Sequence, residues 1–390
     1  MSPLTTDVQP QPLEIYLRQS THYPERPRHV QMVETHISWV FLTDRYVYKL
    51  KKPVRFEFLD FSTPDARRQA CQQEVKLNRR LAPDVYLDVI GLSPNEHGGW
   101  TWGDTDHPTE WLVKMRRLPA EACLLERLQR ETISERELEL LADFLATFYL
   151  QQPPLTLVPN RVRERLREMI ESNQRDLLLD DAPHQDRIRH LHQAQLDFLE
   201  ERASLFDSRV CDGRFIEGHG DLRPEHIYLM QKPAVIDCIE FSDAMRKIDI
   251  VDELGFLTME CDRLGHHAVG SRIMSRYIEE TKDDPPATLL AFYKAYRACV
   301  RAKVLALRSN QAIGEERRLY AAQSEGYLDL AERYVQRFQP QRLIIIGGIM
   351  GTGKSTLAAA LSGQMAAKHL RTDVIRQDLF GTGPAHLPYN

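Results

Sequence analysis

No stretch of the chain approaches the roughly 18 consecutive apolar residues that a membrane-spanning helix needs, which sets integral membrane proteins aside. The first residues, MSPLTTDVQPQPLEIYL, have neither the basic start nor the apolar block of a secretory signal. Cysteine is scattered singly. Cys71, Cys123, Cys211, Cys238, Cys261 and Cys299 form no C-x-x-C pair, which argues against a zinc site or a disulfide framework and points to a reducing, cytoplasmic location. Basic residues are not in excess either: the net charge of −5 disfavours a general nucleic-acid partner. No internal repeat or low-complexity tract is present. What is there is an ordinary globular composition, 42% hydrophobic and 27% charged over 390 residues, enough chain for two or three buried cores.

Near the end stands a phosphate-binding pattern. An apolar run, Leu343 to Ile346, is expected to form a strand and leads into GGIMGTGKST. Gly348, Gly353, Lys354 and Ser355 carry the spacing G-x-x-x-x-G-K-S, with Gly351 inside the loop, and Thr356 opens the helix-like TLAAALSGQMA. Such a loop turns backbone N–H groups toward a phosphate at the positive end of a helix. Lys354 is placed to reach the outer phosphates and Ser355 to hold magnesium. A complete domain of this kind takes well over about a hundred residues, yet only 50 run from Gln341 to Asn390. They supply one strand, one helix and a short element around Thr372 to Phe380. The segment is expected to be cut short and to lack catalysis of its own.

The middle of the chain reads GHGDLRPEHIYLMQKPAVIDCIEF from Gly218. A polar loop, His219 to Glu225, precedes a short apolar run; a turn at Gln231 to Pro233 leads into the strand-like AVIDCIEF. Asp221 before the first strand and Asp237 within the second can share one mouth. Kinase chemistry needs such a pair, one carboxylate to orient the acceptor hydroxyl and one to hold magnesium on the phosphates. His219-Gly220-Asp221 leads to His226 with the spacing of a kinase catalytic loop. The alternative is a loop aspartate that caps a turn, with Asp237 ionised at a strand end.

The HGDL motif, the short hairpin and IDCIEF resemble the catalytic segment of aminoglycoside phosphotransferases and choline kinases, relatives of protein kinases. The chain from about Val33 onward resembles a bacterial two-domain family that joins an aminoglycoside-phosphotransferase-like domain to a C-terminal P-loop AAA-family ATPase or kinase domain. That resemblance implies an α+β, two-lobed protein-kinase-like fold followed by an incomplete α/β P-loop segment. The expected organisation is a leader over 1–28, an N-lobe over 29–119, a helix-rich C-lobe over 120–338 and a partial P-loop domain over 341–390. By position, Asp221 would be the catalytic base and Asp237 a magnesium ligand. His226 stands where the second metal ligand is usually Asn; imidazole suits softer ions than magnesium.

Upstream, ISWVFLTDRYVYKLKKP reads as a hairpin, Ser38–Leu42 and Tyr46–Leu50, with Val47, Lys49 and Lys51 on one face. The family pattern favours Lys49 as the lysine in the nucleotide cleft; a solvated strand face is the alternative. In ARRQACQQEVKLNRRLAP, Ala70, Glu74, Leu77 and Leu81 share a helical face, so Glu74 needs a cationic partner there. A Lys49–Glu74 pair would reproduce that of kinases. No G-x-G-x-x-G loop precedes the lysine strand; Thr35, His36 and Ser38 lie there instead. By resemblance, Met115 to Leu118 would offer backbone groups to adenine. RVRERLREMIESNQRD reads as a solvated helix, and Arg246, Asp249 and Asp252 resemble residues that brace the catalytic loop. The reading is an ATP- and magnesium-dependent phosphotransferase acting on an unidentified small hydroxylated molecule. The rival is a nucleotide-binding regulatory protein or pseudokinase; an aminoglycoside-resistance enzyme rests on the family name alone.

Overall fold

The computed structural model describes residues 11–56, 59–103, 107–178, 184–339, 344–349, 351–364, 369–371 and 374–376. The chain divides into two units, 1–339 and 340–390.

In the larger unit, alternating apolar and polar residues build an antiparallel sheet. Its strands are β1 (Gln31–Glu34), β2 (Ser38–Leu42), β3 (Tyr46–Lys51), β4 (Tyr86–Pro94), β5 (Trp100–Trp102) and β6 (Glu110–Arg116). They lie in the order β1-β2-β3-β6-β4-β5. The β2–β3 turn is closed by the Thr43 hydroxyl, which accepts from the Tyr46 amide at 3.0 Å. Register sets Lys49 between Val40 of β2 and Val113 of β6. Because side chains alternate, Tyr48 and Leu50 pack on one face with Phe41, Leu92 and Leu112. Val47, Lys49 and Lys51 point to the other.

Residues 11–28, read in the sequence as a polar leader, cover the first of these faces. Leu13, Leu17 and Tyr23 are buried there among the sheet residues. The opposite face is covered by α1 (Pro64–Asn78), which starts on a Thr63 cap accepting from the Ala66 amide at 3.2 Å. Cys71 and Val75 pack on Val113 and Met115, and Glu74 is drawn into the same contact.

Helices dominate the rest of this unit. They include α2 (Glu135–Gln151), which opens with a Ser134/Glu137 capping box, α3 (Pro159–Leu177) and α4 (Gln185–Glu201). Further on come α5 (Ile250–Arg263), α6 (His267–Thr281), α7 (Ala287–Gln311) and α8 (Gly314–Phe338). The reading of α3 as a solvated helix is corrected: Leu166, Ile170, Asn173 and Leu177, at helical spacing, are buried. One core joins Phe198, Phe206, Phe292 and Phe338. A second, with Leu145, Leu222, Ile227, Leu254 and Leu257, underlies the loop that begins at Gly218.

The expected strand AVIDCIEF is corrected as well. Only Ala234–Val235 pairs, with Ile227–Tyr228. Asp237 takes a left-handed backbone, φ 65°, which ends the pairing and places its carboxylate beyond the strand rather than within it.

In the smaller unit, α9 (Lys354–Gln364) follows the glycine loop. The strand expected at Leu343 to Ile346 is not formed over 344–346, which carry no regular structure, and Ile345 is 83% exposed. A strand needs a hydrogen-bonded neighbour, and the described residues of this unit provide none. Leu343, Met350 and most of 372–380 lie outside the described residues.

Candidate active site

Five side chains of alternating charge meet where the second sheet face looks toward the 236–240 segment. Lys49 Nζ donates to Glu74 Oε1 and to Asp237 Oδ1, both at 2.9 Å. Lys51 Nζ binds Glu74 Oε2 and Glu240 Oε1. Asp237, Lys49, Glu74, Lys51 and Glu240 thus form one network. Lys51 and Glu74 are almost wholly buried, and neither charge persists there without the other. Burial works against the Lys49 ammonium, but Asp237 and Glu74 outweigh it and hold it protonated well above the ordinary lysine range. Burial likewise opposes the Glu74 carboxylate, and Lys49 and Lys51 bring its pKa below the usual value. Lys49 also drives the Asp237 carboxyl far below the normal range.

The other half of the site is the loop over 218–226. Gly220 has φ 86°, a left-handed backbone suited to glycine. At Gly218 a Cβ would lie 2.5 Å from the Glu253 carboxylate, so only glycine lets α5 approach the loop this closely. Asp221 is gripped by a guanidinium: Arg223 Nε and Nη2 donate to its two oxygens at 2.9 and 2.8 Å. Burial raises the Asp221 pKa, but Arg223 and His226 prevail and hold it down to about 2. His219 is buried; desolvation and neighbouring His226 press it down to about 4, so it is neutral near pH 7. Its Nε2 lies 2.9 Å from the Ile236 carbonyl and must donate there, while Nδ1 accepts from the Asp221 amide at 3.3 Å.

His226 stands between the two aspartates. Its Nδ1 lies 2.8 Å from the Asp221 carbonyl, which can only accept, so Nδ1 carries the proton that donates there. Its Nε2 is 3.7 Å from Asp237 Oδ2. Among the described residues no three His, Cys, Asp or Glu side chains converge on one cation position. The donor set of half-exposed Asp237 with His226 fits magnesium only as a partial shell, the rest coming from phosphate oxygens and water, which is how this ion is commonly held.

The structure therefore gathers Lys49, Glu74, Asp221, His226 and Asp237 in one place. Met115, buried near the end of β6, and Leu118, just beyond it, flank the same core cluster as Val47. Thr35 is committed elsewhere: its hydroxyl donates to the Ser38 carbonyl at 3.0 Å and closes the β1–β2 turn. Of the expected braces, Asp252 holds Arg297 at 2.6 Å, and Arg297 Nη1 reaches the Gly220 carbonyl at 3.5 Å. Arg246 is fully buried and bonds Glu217 and the Ile239 carbonyl, both at 2.9 Å. Asp249 does not touch the loop; it is paired with Arg209 at 2.6 Å. Sequence reasoning missed Arg223, Glu240 and Glu253, and it set Lys51 beside Lys49 without assigning it a partner. Lys51 and Lys49 lie two apart on one strand face, and that was the available signal for a second buried lysine.

In the smaller unit Gly351 and Gly353 have φ 86° and 80°. Thr352 Oγ1 and Lys354 Nζ both donate to the Ile349 carbonyl, at 2.9 and 2.5 Å. Ser355 and Thr356 are exposed in the first turn of α9, and Gly348 lies at the loop's start.

Comparison with known proteins agrees with this division. A family model described as an AAA domain matches residues 343–389. Uncharacterized proteins of Mycobacterium tuberculosis (strain ATCC 25618 / H37Rv) and Mycobacterium bovis (strain ATCC BAA-935 / AF2122/97) are each 33% identical over 364 residues, covering 91% of this chain and 69% of the relative. Among solved structures, a choline/ethanolamine kinase family protein from Mesorhizobium loti superposes with a TM-score of 0.51 at 12% identity, over 84% of this chain and 95% of that one. At that identity the likeness shows the fold alone: a protein-kinase-like α+β architecture precedes the P-loop segment.

Proposed function

Because this chain belongs to the family of its mycobacterial relatives, a two-domain family joining a protein-kinase-like domain to a P-loop AAA segment, we propose that it is an ATP-dependent phosphotransferase of the cytoplasm acting on a small molecule. In this reading residues 29–119 are the N-lobe, 120–338 the C-lobe that selects the acceptor, and 341–390 an appended nucleotide-binding segment. The observation that carries it is Lys49, paired with Glu74 and facing Asp237.

Lys49 positions the phosphates of ATP, and the backbone around Met115 and Leu118 borders the adenine. Asp237, with His226 Nε2, would hold magnesium, which when bound neutralises charge on the transferring phosphate. Asp221 orients the acceptor hydroxyl. The hydroxyl oxygen forms the new bond to the terminal phosphorus, the bond to the bridging oxygen breaks, ADP leaves and the hydroxyl proton passes to the Asp221 carboxylate. A carboxylate with a pKa of about 2 is a weak base, so its contribution is chiefly orientation, consistent with a loose transition state.

The Arg223 clamp on Asp221 favours a second reading, a nucleotide-binding regulatory protein with little transfer activity. ADP release from a metabolite panel, with magnesium-dependent ATP binding measured alongside, separates the two. Asp237→Ala is expected to abolish magnesium-dependent ATP binding. Asp221→Asn is expected to keep binding and slow transfer by about a hundredfold or more. Unchanged turnover in Asp221→Asn removes the phosphotransferase reading.

A further inference from the structure

A cavity of about 450 Å³ opens where α5, α7 and α8 meet, lined among others by Arg263, Arg301, Arg333, Tyr327 and Asp329. This is the size of a small-molecule site. Its position relates it to the catalytic loop. α5 packs on the turn Pro224–His226. On α7, Arg297 reaches the Gly220 carbonyl, and Arg301 is one helical turn further, about 6 Å along the axis. Charge links the two places. Against the cost of burial, Arg223 is held cationic by Asp221, Glu225 and, from α5, Glu260. Arg263 is held by Glu260 and, from the loop, Glu225.

The cations of the lining are not balanced. Asp329 is engaged by Arg187 at 2.5 Å. Buried Glu260 accepts from Arg263 Nε and from the Tyr327 hydroxyl, both at 2.7 Å. Arg301 Nε is ion-paired with Glu260 at 3.6 Å, beyond hydrogen-bond distance, and among the described residues this buried donor has no hydrogen-bond partner. Three arginines thus line one cavity, and two of them, Arg263 and Arg301, share a single buried carboxylate, Glu260. A buried donor without an acceptor is costly, and arginine forks match phosphate and carboxylate oxygens. A cationic acceptor would enter against like charge.

We propose that the acceptor is an anionic hydroxy compound whose phosphate or carboxylate group is bound by Arg301, Arg263 and Arg333 while its hydroxyl reaches Asp221; this rests on the phosphotransferase reading. Binding is measured by calorimetry on the full chain saturated with ADP and magnesium, using glycerol phosphate, glycerate, glycerol and choline as probes. Glycerol phosphate and glycerate bind, the first two probes differing in strength according to whether phosphate or carboxylate is preferred; glycerol and choline bind at least tenfold more weakly. Arg301→Gln, and independently Arg333→Gln on the exposed rim, weaken the anionic probes at least tenfold. ADP affinity in each variant reports the integrity of the nucleotide site. Choline or glycerol binding as tightly as glycerol phosphate overturns the proposal, as does wild-type anion affinity in both variants or no anion binding to the ADP-loaded protein. Failure of the phosphotransferase reading shows separately, as loss of ADP binding itself or unchanged turnover in Asp221→Asn.

Discussion

Glu253 accepts hydrogen bonds from two consecutive backbone amides, His219 at 2.6 Å and Gly220 at 2.7 Å. One carboxylate oxygen on α5 thereby fixes the loop that presents Asp221. Its second oxygen accepts from the Tyr149 hydroxyl at 3.1 Å. Burial pushes the Glu253 pKa up, and the two amides partly offset this.

Replacing Glu253 by Ala strands two buried N–H groups and is expected to cost about 2–4 kcal/mol. Glu253→Gln keeps an acceptor oxygen and should cost less. Urea unfolding of both variants checks this; a wild-type midpoint for Glu253→Ala would show that the amides find other partners.

The two neighbouring lysines should fail differently. Lys51→Met leaves Glu74 and Glu240 without their shared partner and is expected to lose about 3–5 kcal/mol of stability. Lys49→Met, at the open side of the network, is expected to lower ATP affinity by about tenfold or more with the smaller stability loss. Unfolding curves and ATP titrations on both variants decide, and the reverse assignment of effects would reject these roles.

Acid should weaken the fold in an identifiable window through His219. Its pKa of about 4 in the folded protein lies below the ordinary histidine value near 6.5, so between these pH values the unfolded chain binds more protons. Stability from this group is complete above about pH 6.5 and declines as pH falls toward 4, by about 3 kcal/mol in all. His219→Gln, which does not titrate, should flatten that part of the stability–pH curve. An unchanged slope in the variant would place the titration elsewhere.

How much of this was legible in the sequence depended on whether spacing alone carries the information. The hairpin bearing Lys49, the helical face bearing Glu74 and the loop from His219 to His226 follow from local periodicity and turn chemistry. Asp237 was recognisable as a residue but not as a left-handed one, because a strand-like composition hides a single backbone reversal. Arg223, Glu240 and Glu253 acquire their partners only through tertiary packing, and residue type does not announce which carboxylate will lie under which amide. The burial of residues 11–28 was obscured by proline and polar residues, although Leu13 and Leu17 stand one helical turn apart. In α3 the abundance of arginine and glutamate concealed four inward positions.

The ion-pair network has a mechanical consequence. Its ends, Asp237 and Glu240, belong to the same short segment, so the five side chains close a ring that staples that segment to β3 and α1. Its inner members are shielded from solvent, where dissolved ions screen poorly. Sheet, helix α1 and residues 237–240 are therefore bound to travel as one rigid body, and raising the ionic strength does little to loosen them.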